Sequence, residues 1–253
     1  MAKSLFKYRP KGISVIDAPS VGDLVHDELG ELVQARLNEA FRGVNNIEDT
    51  TEYQPNQPLA FSNVPRNLFR NQTLRTELSK YKVALQTPLR VVQYWDLVRD
   101  QTTYADTNSV SVFPKEGPNE DLRQRVLSIL GISPKSLEIP ILVANLGVER
   151  ADNEYGFTFT DSDAIEVIPA PFLQEDGKYS FDKKKNTLVP DPNGVQIYTP
   201  SDQSGLRRAC RCRGRGGNFS FGVGNLLGSY GDGRVPFFYN PQGFEKNFGK
   251  RKK

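Results

Sequence analysis

Two cysteines, one histidine and a few closely spaced carboxylates are the residues of this chain best suited to chemistry. Cys210 and Cys212 stand in a C-x-C spacing. One intervening residue strains a mutual disulfide, and two thiolates are too few for a structural zinc site without further ligands. The sole histidine, His26, lies far off in sequence beside Asp27 and Glu28, on the polar side of a helical pattern. It leaves no partner for a Ser-His-Asp or Cys-His arrangement. Asp152 with Glu154, and Asp161 with Asp163, have a spacing open to acid–base work, but they sit in turn-rich stretches where Asp commonly completes an Asx-turn. Gly222-Val223-Gly224 lacks the third glycine, the Lys-Ser/Thr and the strand-to-helix frame of a phosphate cradle. These residues point away from an enzyme and imply no cofactor and no metal.

A binding role has better support, and it centres on residues 205–235, GLRRACRCRGRGGNFSFGVGNLLGSYGDGRV. The stretch is rich in Arg, Gly and aromatic residues, and from Cys210 to Tyr230 it contains no Lys, Glu, Gln, Met or Trp, which the rest of the chain uses. Its few spaced apolar residues, such as Leu206, Val223 and Leu226, can anchor only its ends and middle. The composition is that of a surface loop system held by a rigid base, where binding function usually sits. RGRGG with Phe219 and Phe221 also has the make-up of an RNA-binding RGG box, although such boxes repeat and this one occurs once.

The elements that must hold this stretch change character along the chain. At 253 residues, with 37% hydrophobic content, a mean hydropathy of −0.53, 17 Pro and 21 Gly, the chain is long enough to bury a core and is expected to be rich in loops and short strands. Residues 1–19 read as an extended basic arm. From Ser20 or Asp23 as a cap, Val21, Leu24, Val25, Leu29, Leu32, Val33, Leu37 and Phe41 recur at helical steps until Gly43. A second helix is allowed over 68–85, before Thr87-Pro88. Residues 89–98, rich in β-branched and aromatic side chains and carrying Trp95, predict a buried strand. Further strands are expected at 109–113, 139–146, 155–160, 164–168, 177–181 and 195–198, and a helix at 119–130 closed by Gly131. The fold class is thus α+β: a mainly helical N-terminal portion (1–110), a strand- and loop-rich portion (111–240) and a basic tail (241–253).

Charge is nearly balanced overall, with 33 basic and 30 acidic residues. Basic residues cluster at the tail, in Lys246, Lys250, Arg251, Lys252 and Lys253, which is the element that would contact nucleic acid. No apolar run is long enough to span a bilayer, and the opening MAKSLFKYRPKG lacks the apolar core of a signal peptide. The expectation is a cytoplasmic or particle-associated protein with no membrane span, whose partner is an unidentified macromolecule, a protein by preference, with an oligomer left open.

YGFTFTDSDAIEVIPAPFLQEDGKYSF (155–181) followed by QIYTPSDQSGLRRACRCRGR (196–215) and GSYGDGRV (228–235) resembles the C-terminal half of the variable proteins of diversity-generating retroelements, particularly those with a C-type-lectin-like fold. The resemblance covers roughly residues 136–235 and rests on Gly205-Leu206-Arg207-Arg208, Arg211 and the closing Gly233-Arg234-Val235. In that family template adenines are randomised, so that Asn codons yield many residue types but never Lys, Glu, Gln, Met or Trp, the types missing from residues 210–230. The resemblance implies a C-terminal lectin-like domain displaying Cys210, Cys212, Gly214, Asn218, Ser220, Gly222, Asn225, Tyr230 and Asp232 as variable, ligand-facing positions. It further implies that Phe219, Phe221 and Tyr230 supply most contact area and that Arg211 and Arg213 make charged hydrogen bonds. A Gly-Gly-Ser-Trp motif found near this segment in the commoner lectin-like form is missing here. Two other readings stand beside it: a phage or particle structural protein whose basic ends contact nucleic acid or neighbouring subunits, and an RNA-binding accessory protein using the Arg/Gly-rich stretch.

Overall fold

The computed structural model describes residues 20–23, 35, 84–85, 87–99, 105–212, 218–223, 226 and 236–239. In chain order its strands are β1 (Ser20–Asp23), β2 (Ala84–Leu85), β3 (Ala105–Val112), β4 (Ile141–Ala144), β5 (Gly147–Arg150), β6 (Phe157–Thr160), β7 (Glu166–Pro169), β8 (Gly177–Asp182), β9 (Thr187–Pro190), β10 (Val195–Tyr198), β11 (Leu206–Cys212), β12 (Asn218–Val223) and β13 (Pro236–Tyr239). The α-helices with described bounds are α1 (Pro88–Gln93), α2 (Trp95–Val98) and α3 (Glu120–Leu130). The architecture is mixed α+β and strand-rich, built on a nearly closed, barrel-like sheet.

Eight strands make that sheet in the order β7-β4-β3-β11-β12-β10-β8-β9, all antiparallel except the β10–β12 pair. Ile168 from one edge strand and Leu188 from the other share a core with Phe219 and Phe221 near the middle. Edges so far apart in strand order can meet one core only because the sheet curls around it. Pro171–Leu173, a single 3-10 turn after β7, packs against β9 and puts Phe172 into the same core. A separate antiparallel pair, β5–β6, and helix α3 lie together, with α3 touching β6 and β11.

Helix α3 follows the sequence expectation closely. Leu122, Val126, Leu127 and Leu130 are buried, and Gly131, at φ 68, ends the helix in the left-handed conformation suited to glycine. Its unforeseen member is Arg123, fully buried on the apolar side. Nε donates to Phe113 O at 2.9 Å, Nη2 to Pro114 O at 2.7 Å and Nη1 to Glu120 Oε1 at 2.7 Å, so the guanidinium fastens α3 to the chain leaving β3. A buried charge is tolerated when its donors are taken up in this way.

Residues 89–98 do not form the expected strand. Pro88 fits the first turn of a helix, where no N–H is required, and Thr87 caps it by accepting from Arg90 N at 3.4 Å. That local signal outweighs the β-branched content, and Leu89, Val91, Val92 and Val98 reach the core from α1 and α2 instead. Arg90 adds a largely buried ion pair to Glu166 of β7 at 2.9 Å.

The N-terminal expectations also change. Ser20 begins β1 and does not cap a helix, and Val21 belongs to the same strand. Of the expected first helix only Ala35 is described further on, helical and exposed. The expected second helix lies outside the described residues except for Ala84 and Leu85, which are strand. A boundary at 110/111 would cut β3, which pairs with both β4 and β11, so the frame begins no later than Ala105.

Candidate functional site

Residues 205–235 were expected to be irregular surface, yet their first half supplies two central strands of the large sheet. Strand β11 pairs with β3 from Leu206↔Val112 to Arg211↔Ala105, and with β12 from Arg208↔Val223 to Cys212↔Asn218. Both ladders shift between Arg208 and Cys210, marking a bulge at Ala209. The Ala209 carbonyl accepts from Thr107 Oγ1 at 2.7 Å, so a side chain serves a backbone group displaced by the bulge.

Gly205, Leu206 and Arg207 belong to the framework. Gly205 has φ +73, and a Cβ there would lie 2.2 Å from Pro118 O. Its N–H donates to Lys115 O at 2.8 Å, Leu206 N donates to Pro118 O at 2.9 Å, and Asn119 Nδ2 donates to Leu206 O at 2.7 Å. Arg207 is buried and fixes the turn before it: Nη2 bridges both Asp202 oxygens at 2.8 and 2.6 Å, Nε reaches Ser204 O at 3.0 Å, and Nη1 reaches Gly222 O on β12 at 3.4 Å. The Ser204 hydroxyl bond, at 2.8 Å, together with the charge of Arg207, holds the Asp202 carboxyl below the usual carboxylate range. The signal that sequence reading missed is Asp202, five residues before Arg207 on a tight turn.

Strand β12 decides which side chains can face a ligand. Phe219 and Phe221 are 0% exposed, with ring centroids 6.0 Å apart, and Phe221 lies 6.1 Å from Phe172. They cannot supply contact area, because a strand in a sheet around a core sends alternate residues inward, and these two fill it. Cys210, at 2% exposed, is likewise no ligand-facing residue. Asn218, Ser220 and Gly222 take the opposite parity and are half-buried. Gly222 has room for a side chain, since a Cβ would lie 3.4 Å from Pro200 N, an ordinary contact. Arg211 and Cys212 are paired with Phe219 and Asn218 in β11. Arg213, Gly214, Asn225, Tyr230 and Asp232 lie outside the described residues, as do Gly233-Arg234-Val235 and the basic tail.

One residue that sequence reading left out sits beside this row. Tyr198 of β10 is directly opposite Ser220 and 43% exposed. Thr199 anchors its strand end by donating from N and Oγ1 to Asp176 Oδ1, at 2.6 and 3.0 Å. No family model, no curated protein and no solved structure matches this chain.

The carboxylate pairs are turn residues. Asp161 Oδ1 accepts from Ser162 N at 2.8 Å, and Asn153 Oδ1, between Asp152 and Glu154, accepts from Tyr155 N at 3.0 Å. Tyr155 is pushed up to about 12, by burial first and by Glu154 next. Among the described residues no group of three or more His, Cys, Asp or Glu could hold a metal ion, and no helix is long and apolar enough to cross a membrane. His26 lies outside the described residues.

Proposed function

We propose that this chain is a non-enzymatic recognition protein of the diversified, lectin-like kind, whose ligand-facing side chains are the alternate residues Asn218, Ser220 and Gly222 on β12, with Tyr198 beside them. The ligand is a macromolecule, most simply a protein, because small uncharged polar residues around an exposed tyrosine suit a polar protein surface. The observation that carries the reading is the alternation along β12: the inward positions are full-sized core phenylalanines, and the outward ones are small and partly open. A frame of this kind lets outward residues change while the core stays constant, since exposed substitutions typically shift stability by only about 0.5 kcal/mol. The proposal moves contact area from Phe219 and Phe221 to Tyr198 and the row beside it.

The test is at the level of DNA. A near-repeat of the coding sequence for residues 205–235, lying beside a reverse-transcriptase gene and differing only at template adenines, is expected. Its mismatches should fall in the codons for Asn218, Ser220 and Gly222 and spare those for Phe219 and Phe221. Absence of such a repeat, or mismatches concentrated in the two phenylalanine codons, would overturn the reading.

A further inference from the structure

The hairpin of β8 and β9 carries a charge cluster that the candidate site does not use. Its turn is Lys183-Lys184-Lys185-Asn186, between Asp182 and Thr187, which face each other across the ladder. Asp182 fixes the turn from within: its Oδ1 accepts from Lys184 N at 2.8 Å and from Lys185 N at 3.1 Å. Asn186 closes the turn at φ 51, a left-handed conformation that asparagine tolerates. The backbone bond from Lys185, first among the causes, holds the Asp182 carboxyl below the usual carboxylate range. Its other oxygen is 4.0 Å from Lys185 Nζ. Lys183 and Lys184 are exposed and have no ion-pair partner among the described residues.

The sheet presents this turn on a held arm. Strand β10 pairs with β8 only over Gly177–Tyr179, so Ser180–Asp182 have β9 alone as a ladder partner, and the turn lies at the end of that stretch. Leu188 and Phe181 pack on the core and seat the arm. The carboxylates of the hairpin lie at its other end, where Asp176 accepts from Thr199 and Asp191 accepts from Asn193 N at 2.9 Å. From the level of Lys178 and Asp191 to that of Asp182 and Thr187 is four strand steps, about 13 Å, longer than the Debye length of about 8–10 Å. Those acids therefore leave the tip un-neutralised.

We propose that the β8–β9 turn contacts the phosphate backbone of nucleic acid, with Lys183 and Lys184 each meeting a phosphate and no base sequence being read. Exposed lysine–carboxylate pairs contribute little, whereas a lysine that neutralises a phosphate on a duplex also frees condensed counterions, so the natural partner of such a tip is a polyanion. The turn carries no apolar side chain to enter a lipid layer, since Phe181 and Leu188 face the core. Lysine is a point charge without the planar fork of arginine, which suits contact with a phosphate of any sequence. This contact is separate from the row on β12 and stands or falls without it.

The experiment measures binding of the full chain to a random-sequence DNA duplex by fluorescence anisotropy, over about 20–200 mM salt. The double variant Lys183→Gln/Lys184→Gln should bind about tenfold more weakly, or worse, at low salt, and its slope of log K against log salt should be shallower by about 2, at about 0.9 per phosphate. Lys115→Gln/Lys135→Gln removes the same charge from exposed positions elsewhere and should leave the slope as it was. Both variants keep the basic tail, so any contribution of the tail cancels in the comparison, and circular-dichroism melts that match the wild type confirm that both are folded. No binding by the full chain at low salt, or an equal loss in the two double variants, would overturn the proposal. So would a loss confined to phosphatidylserine vesicles with DNA binding unchanged.

Discussion

Replacing Phe221 with Ala tests the side-chain parity of β12 on which the candidate site depends. The ring is wholly buried and contacts Phe219 and Phe172 at centroid distances of 6.0 and 6.1 Å. Transfer of a buried Phe side chain is worth about 1.5–3 kcal/mol, and the cavity left in a partly relaxing core raises the loss to about 3–5 kcal/mol. For a chain of this size, that corresponds to a fall in Tm of roughly 6–20 °C. Ser220→Ala, one residue away but on the other face, should move Tm by no more than roughly 2 °C. Thermal melts by circular dichroism, with Trp95 fluorescence as a second probe, give both numbers; Trp95 is the only tryptophan and packs against the same core. Similar losses for the two variants, or a larger loss for Ser220→Ala, would refute the parity and with it the choice of ligand-facing residues.

Two further outcomes follow from the turn that feeds β11. Gly205→Ala should cost upwards of about 2 kcal/mol, since it forces a side chain into the left-handed region and against Pro118 O, whereas Gly222→Ala should be neutral to within about 0.5 kcal/mol by chemical denaturation. Asp202 binds a proton less readily folded than unfolded, so its contribution is present above its unfolded value and lost as pH falls through its lower, folded value. The Tm gap between the wild type and Asp202→Asn should therefore narrow between about pH 6 and about pH 3, and a gap independent of pH would contradict the pairing with Ser204 and Arg207.

Where local chemistry decided the structure, the sequence was readable. Helix α3 has an apolar stripe and a glycine stop, both visible without any partner, and β10 matches its expected span of 195–198. Thr87-Pro88 is equally visible in the sequence, and as a helix start it outweighs the β-branched run behind it. Strand β11 was hidden for another reason. Leu206–Cys212 contains three arginines, which suggest solvent, and Arg207 is buried only because Asp202 and the Gly222 carbonyl meet it. The ladder partner of β11 on one side, β3, is about a hundred residues earlier, beyond the reach of any local pattern. The alternation of Phe219 and Phe221 was present in the sequence, but glycine and arginine on either side made it look like loop.

The pairing of β3 with β11 also sets an order of events during synthesis. Val112 and Leu206 are register partners, so at roughly 5–20 residues per second the ribosome needs about 5–20 s between delivering the two. Once β4 has been made β3 can pair with it, but until β11 arrives its other edge stays open, a template for any neighbouring nascent chain. Production of this protein should therefore be sensitive to translation speed and to chaperones that shield strand edges, more than the stability of the finished molecule would suggest.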